Sequence, residues 1–199
     1  MKKITLILVG FFCSIINAYS NENFVSQNMD GNTYRISFNL NEIELEEYGN
    51  YVKVVANTKG ETSVLGMPKL PEFSTMIMLN PEKTYSISYK VTKSQVLNNI
   101  DIVPNQNIVN GLEKKEIELI NTDFYQSNTK YPNENVVMSE PMIMRDIVLS
   151  SISIVPFNYN PDNRELEIYE SIEIQIFETG NTDDPRIRDT GKSRVFENI

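Results

Sequence analysis

From Glu165 to Phe177 apolar and polar residues alternate. Leu166 and Ile168, then Ile172, Ile174 and Ile176 fall on one parity, with Glu165, Glu167, Glu173 and Gln175 on the other. A period of two predicts strands with one buried face. The apolar run Ile152–Phe157 comes before them, and Tyr159-Asn160-Pro161-Asp162-Asn163 lies between. There proline sets one turn dihedral and Asp/Asn accept the others, so the chain is predicted to reverse as a hairpin.

The same period recurs upstream. Tyr34, Ile36, Phe38 and Leu40 share a parity, Ile43 and Leu45 continue among glutamates, and Tyr51–Ala56 follows the Gly49-Asn50 turn, the signature of a β-meander. Gly66-Met67-Pro68-Lys69-Leu70-Pro71 carries two prolines that cannot donate to a ladder, so it reads as an extended connection into a strand over Thr75–Leu79. Further strands are predicted over Tyr85–Val91 and Ile100–Val103, the latter stopped by Pro104. No window shows a sustained 3.6 period. The nearest, Gly111–Leu119 (GLEKKEIEL), reads either as a helical turn or as a loop with a short strand. About nine or ten short strands separated by turn signals predict an all-β chain, an antiparallel β-sandwich of jelly-roll-like type. No internal repeat is present.

Composition adds an address. Lys2 and Lys3 precede the apolar run Ile4–Ile16, and small residues at Ala18 and Ser20 follow, the pattern of a secretory signal peptide over residues 1–20. Cleavage is expected after Ser20, with Ala18 as the alternative. The only cysteine, Cys13, lies inside the apolar run behind bulky Phe12, which argues against lipid attachment. What remains, residues 21–180, is one domain of ordinary size, expected to be a monomer with no membrane association once the leader is gone. Its polar continuation, residues 181–199, carries Arg186, Arg188, Lys192 and Arg194 and reads as an exposed linker open to proteolytic processing. The formal net charge of −9 becomes more negative without Lys2 and Lys3, which disfavours nucleic acid and anionic membranes as partners.

The residue inventory also excludes chemistry. The chain has no histidine, and its one cysteine leaves with the leader. Thiol and serine nucleophiles that need an imidazole base, and zinc sites built from Cys and His, are therefore out of reach. Carboxylate pairs such as Glu42/Glu44 and Glu165/Glu167 have the spacing of one strand face, but acids on outward parities are best read as solvating the sheet. No catalytic residue, metal or cofactor is expected.

Several short blocks occur in one order: Gly66-Met67-Pro68-Lys69-Leu70-Pro71, Tyr131-Pro132, Arg145-Asp146, Pro156-Phe157-Asn158-Tyr159-Asn160-Pro161 and Leu166-Glu167-Ile168-Tyr169. In this order and spacing, from roughly Gly60 to Gly180, the chain resembles the gingipain-type propeptide, the prodomain of family C25 cysteine peptidases. The resemblance implies a secreted, non-enzymatic prodomain of a Bacteroidetes-type bacterium, acting in the periplasm or outside the cell. Its implied partner is a C25 cysteine peptidase catalytic domain, in cis or in trans, which it would inhibit and help to fold until proteolysis separates them. By order, the segment between Pro104 and Tyr131 corresponds to the family's inhibitory loop. Lys114 or Lys115 would then plug the specificity pocket, with Lys130 as second choice; each is otherwise a solvated charge on a turn. Arginine-specific members present Arg there, so lysine leaves the partner's specificity open. Arg145, within an apolar strand expected over Met142–Val148 and next to Asp146, reads as half of a sheet-edge or interface ion pair. The competing reading is a secreted adhesion or carbohydrate-binding sandwich, which the absence of tryptophan for sugar stacking disfavours.

Overall fold

The computed structural model describes residues 23–58, 60–109, 112–113, 117–144 and 147–182. Two hairpins come first. β1 (Phe24–Asp30) returns as β2 (Thr33–Asn39), and β3 (Ile43–Tyr48) returns as β4 (Tyr51–Ala56). There follow β5 (Gly60–Glu61), β6 (Pro71–Leu79), β7 (Lys83–Asn98), β8 (Ile108–Val109) and β9 (Leu112–Glu113). One helical turn, α1 (Thr122–Tyr125), precedes β10 (Val136–Met138), β11 (Met142–Met144), β12 (Ile147–Ile154), β13 (Phe157–Asn160) and β14 (Glu165–Asn181). Nine of these fourteen strands run four residues or more, and every ladder between them is antiparallel, as the alternation predicts.

The 17-residue β14 is the axis of the first sheet. β7 runs along one side of it from Glu165↔Asn98 to Asn181↔Lys83. The other side is shared by β13, paired from Phe157↔Ile168 to Asn160↔Glu165, and by β2, paired from Asn39↔Ser171 to Thr33↔Phe177. Two opposite register slips between Tyr169 and Ile172 cancel, so Ile168 and Ile172 still face the same way and both are buried. The predicted hairpin closes with the Asn160 side-chain oxygen accepting from the backbone amides of Asp162 (3.1 Å) and Asn163 (3.4 Å). The second sheet has the order β10-β12-β6-β5, with β11 also paired to β12.

Between the sheets Ile36, Phe38, Ile172, Ile174 and Ile176 meet Phe73, Ile77, Val148, Ile152 and Ile154. Burial of each such side chain contributes about 1.5–3 kcal/mol. A second core, with Val54, Leu70, Ile102, Phe124, Phe157, Tyr159, Leu166 and Ile168, fills the other end under the long connections.

Four expectations need correction. The meander divides: β3 and β4 form a ribbon of their own instead of continuing β2. Ile100–Val103 makes only isolated bridges, Ile102 with Val52 and then Pro104 with Pro68, because proline ends the donor series. The strand expected over Tyr85–Val91 extends to 16 residues, since β14 offers a partner along its whole length. The apolar stretch Met142–Val148 is two strands, β11 and β12, paired to each other up to Met144↔Ile147. Arg145 and Asp146, between them, lie outside the described residues, as do the leader with Ser20 and, in the linker, Arg186, Arg188, Lys192 and Arg194.

Candidate functional site

The segment Gly66–Pro71 is the foundation of the site. Its prolines withhold two donors, and the remaining groups bond to two other parts of the chain. Gly66 N–H donates to the Asn105 carbonyl (2.9 Å), Asn105 N–H to the Met67 carbonyl (2.7 Å), and Lys69 N–H to the Val103 carbonyl (2.9 Å). Asn121 N–H donates to the Gly66 carbonyl (3.0 Å), so one residue holds both feet of the connection between Asn105 and Asn121. Gly66 has φ 75°, and a Cβ there would lie 2.9 Å from the Asn121 amide nitrogen, so only glycine fits without strain. The buried Thr62 hydroxyl donates to the Pro68 carbonyl (2.8 Å) and accepts from Leu70 N–H (3.0 Å). Lys69 is buried, with its ammonium 2.9 Å from the Glu61 carboxylate.

On this foundation stands a short hairpin, β8 with β9, paired Ile108↔Glu113 and Val109↔Leu112. Of the two readings of Gly111–Leu119, the loop with a short strand is the one adopted over its described residues. Its base is clasped by Gln106. The side-chain oxygen accepts from Glu118 N–H (2.9 Å) and Leu119 N–H (2.9 Å), and the side-chain nitrogen donates to the Leu119 carbonyl (2.7 Å). A carboxamide has the same donor and acceptor pair as a peptide unit, so Gln106 replaces a missing strand neighbour. Lys114 and Lys115 follow β9 directly and lie outside the described residues.

The exit from this connection is fastened to the second core. The Asn121 side chain caps α1 by accepting from Phe124 N–H (3.0 Å). Phe124 is buried with ring centroids 5.4 Å from Tyr125 and 5.9 Å from Tyr131. Tyr125 donates its hydroxyl to the Ile102 carbonyl (2.8 Å), and burial pushes this phenol well above its ordinary range. Burial raises Tyr159 to about 12. Both phenols therefore stay neutral at any physiological pH; the Tyr125 hydroxyl is hydrogen-bonded, whereas the Tyr159 hydroxyl is buried without a partner among the described residues.

Lys130 sits apart from the hairpin. Its ammonium lies 3.4 Å from Glu167 on β14, more than half exposed, an ion pair of the solvent-screened kind. Its neighbour Tyr131 exchanges backbone bonds with Tyr159 (3.0 and 2.8 Å), tying this chain to β13. Thus Lys130 is a surface charge beside the first sheet. The sequence reading missed Gln106, Asn105 and Thr62. The signal available for them was the Pro104-Asn105-Gln106-Asn107 cluster, where side-chain amides stand at the start of a long connection. Among the described residues the arrangement fixes both feet and the base of the connection, which lowers the ordering cost of presenting it to another surface.

The chain is 26% identical over 161 residues to gingipain R1 of Porphyromonas gingivalis, covering 80% of this chain and 16% of that protein. Gingipain R2 of the same species is 24% identical over 143 residues, covering 71% of this chain and 19% of its own length. The chain therefore spans less than a fifth of the curated relatives it matches. In fold it is similar to a chain in the complex of Porphyromonas gingivalis RgpB pro- and mature domains, with TM-score 0.67 and 19% identity over 80% of this chain and 86% of that one. A structure addressing the zymogenic latency of gingipain K is similar at TM-score 0.62 and 19% identity, over 76% and 89% of the two chains. The family model of the C25 propeptide matches residues 23–197, and with that nearly complete coverage the chain belongs to the C25 propeptide family.

Proposed function

We propose that this chain is a secreted N-terminal prodomain that holds a gingipain-like C25 cysteine endopeptidase inactive, assists its folding, and is removed by proteolysis in the linker at residues 181–199. The observation that carries the reading is the loop on its clasped base in a chain of this propeptide family, free of histidine and, after leader removal, of thiol. Lys114 or Lys115 presents its ammonium to the carboxylate of the peptidase's specificity pocket, while the rigid base keeps the neighbouring peptide bonds out of the cutting position. Its setting is the periplasm or cell exterior of a Bacteroidetes-type bacterium, in keeping with relatives from Porphyromonas gingivalis.

The test is inhibition of the cognate C25 catalytic domain, whether in cis or in trans. An ammonium in a narrow, partly dry pocket contributes more than a surface pair, and truncating it leaves the pocket charge unpaired, a cost of about 2–5 kcal/mol. Inhibition should weaken roughly thirty-fold to several-thousand-fold for one of Lys114→Ala and Lys115→Ala. Lys130→Ala, at a screened ion pair, should cost under about 1 kcal/mol. A double Lys114/Lys115 variant as potent as the unmodified chain would rule out the plug.

A further inference from the structure

The two sheets have unlike outer surfaces. On the first, Glu173 of β14 stands opposite Lys90 of β7, and Glu165 and Glu167 share the outward parity, the ordinary solvated pattern. On the second, the outward positions of β6, β11 and β12 carry Met76, Met78, Met142, Met144, Ile147 and Leu149. Met142, Leu149 and Met78 form one row across three strands, and Met144 stands opposite Ile147. The four methionines are 57%, 52%, 44% and 60% exposed in chain order, and they are half of the chain's eight. The face continues along β6 and β12 through Ser74 and Ser151 and ends at Glu72, the outward residue at the start of β6, in a protein of net charge −9. A contiguous apolar patch of this kind, in a domain that solvates its other sheet with acids, marks a surface that is covered in use.

We infer that this methionine face is the docking surface for the peptidase domain, separate from the loop that blocks it; the inference rests on the prodomain reading above. Three observations select that occupant. First, the face and the loop share one continuous segment. Gly66, which holds both feet of the loop connection, is five residues from Pro71, where β6 begins, and β6 carries Met76 and Met78. Ten residues of extended chain from Gly66 to Met76 span at most about 35 Å. A catalytic domain of a few hundred residues, with a radius of gyration of about 20 Å, reaches across both. Second, the relatives are more than five times longer than their match to this chain, which covers 16% of gingipain R1. Third, a second copy carries the same net charge of −9, so like charge would oppose its approach. Methionine suits the task because its unbranched, polarizable side chain adapts to an irregular partner surface.

Peroxide oxidation read by peptide mass spectrometry tests the face without any substitution. In the free chain Met76, Met78, Met142 and Met144 should convert to sulfoxide faster than half-buried Met138. In the complex with the C25 catalytic domain the same four should slow at least five-fold. In a second arm, Met76→Lys with Met144→Lys, lysines 114 and 115 intact, should weaken binding at least ten-fold without abolishing folding. Unchanged oxidation rates in a formed complex overturn the inference while leaving the plug standing. Slowing in the free chain as its concentration rises assigns the face to a second copy and also overturns it. If the unmodified chain does not bind the catalytic domain at all, the prodomain reading falls and this inference with it. Should the charged variant unfold, the oxidation arm decides.

Discussion

Gln106 and Leu119 are paired across the base of a loop as two peptide units would be: the side-chain oxygen accepts from Leu119 N–H at 2.9 Å, and the side-chain nitrogen donates to the Leu119 carbonyl at 2.7 Å. The pair is exposed, so water can replace it, and Gln106→Ala should cost stability only about 1 kcal/mol. Its effect on inhibition should be larger, because a loosened loop must be ordered at the moment of binding. Gln106→Glu, which keeps the acceptor and loses the donor, should fall between. Thermal melts alongside inhibition constants check this, and equal losses in both would make the clasp structural only.

Gly66 and Gly31 make a controlled comparison. Both are in the left-handed region, with φ 75° and 61°, but a Cβ at Gly31 meets open space and one at Gly66 lies 2.9 Å from the Asn121 amide nitrogen. The backbone cost of alanine there is about 1–2 kcal/mol in either case. Gly66→Ala should exceed Gly31→Ala by the added clash and should weaken inhibition, while Gly31→Ala leaves inhibition unchanged. Chemical denaturation of the two variants measures the difference.

Ile174 is 1% exposed at the centre of the intersheet core. Ile174→Ala should destabilise by about 2–5 kcal/mol, the transfer and cavity costs together. Glu173→Ala, one residue away on the solvated face, should stay within about 0.5 kcal/mol. Similar values for both would mean that β14 does not present its even-numbered residues to the core.

Alkaline pH should unfold the domain through its tyrosines. Burial raises Tyr85, Tyr159 and Tyr169 from 10.0 to about 12. The unfolded phenols ionise near 10 and the folded ones retain their protons, so these groups favour the fold fully below about pH 10. Between about pH 10 and 12 the unfolded chain has fewer bound protons, and stability declines as pH rises. Thermal melts across that window should show a falling Tm, with a shallower slope for Tyr169→Phe; a Tm flat through pH 11 would contradict it.

Limited trypsin digestion addresses the linker. Cuts after Arg186, Arg188, Lys192 or Arg194 should come first and leave a resistant core ending near Gly180. First products arising between Met142 and Phe177 would move the domain boundary.

The strands with a strict period of two were legible in the sequence, because one buried face imposes its own spacing: Ile36, Phe38 and Ile172 to Ile176 stand where the alternation puts them, and the chain reverses between Asn160 and Glu165, within one or two residues of the turn read from Tyr159–Asn163. The exclusion of imidazole chemistry was equally legible, since the chain has no histidine. The short α1 was not, because four residues are too few to display a 3.6 period and its cap is one Asn121 side chain. Nor was the long β7, whose second half reads as polar sequence and is a strand only because β14 supplies hydrogen bonds along its full length. The sequence by itself determined which residues turn inward, a local matter of parity. The tertiary structure alone decided that Gly66, Asn105, Gln106 and Asn121 form one foundation, and that four methionines from β6 and β11 share one face. Partners so far apart along the chain are chosen by sheet register and backbone hydrogen bonds, which no local pattern of side chains encodes.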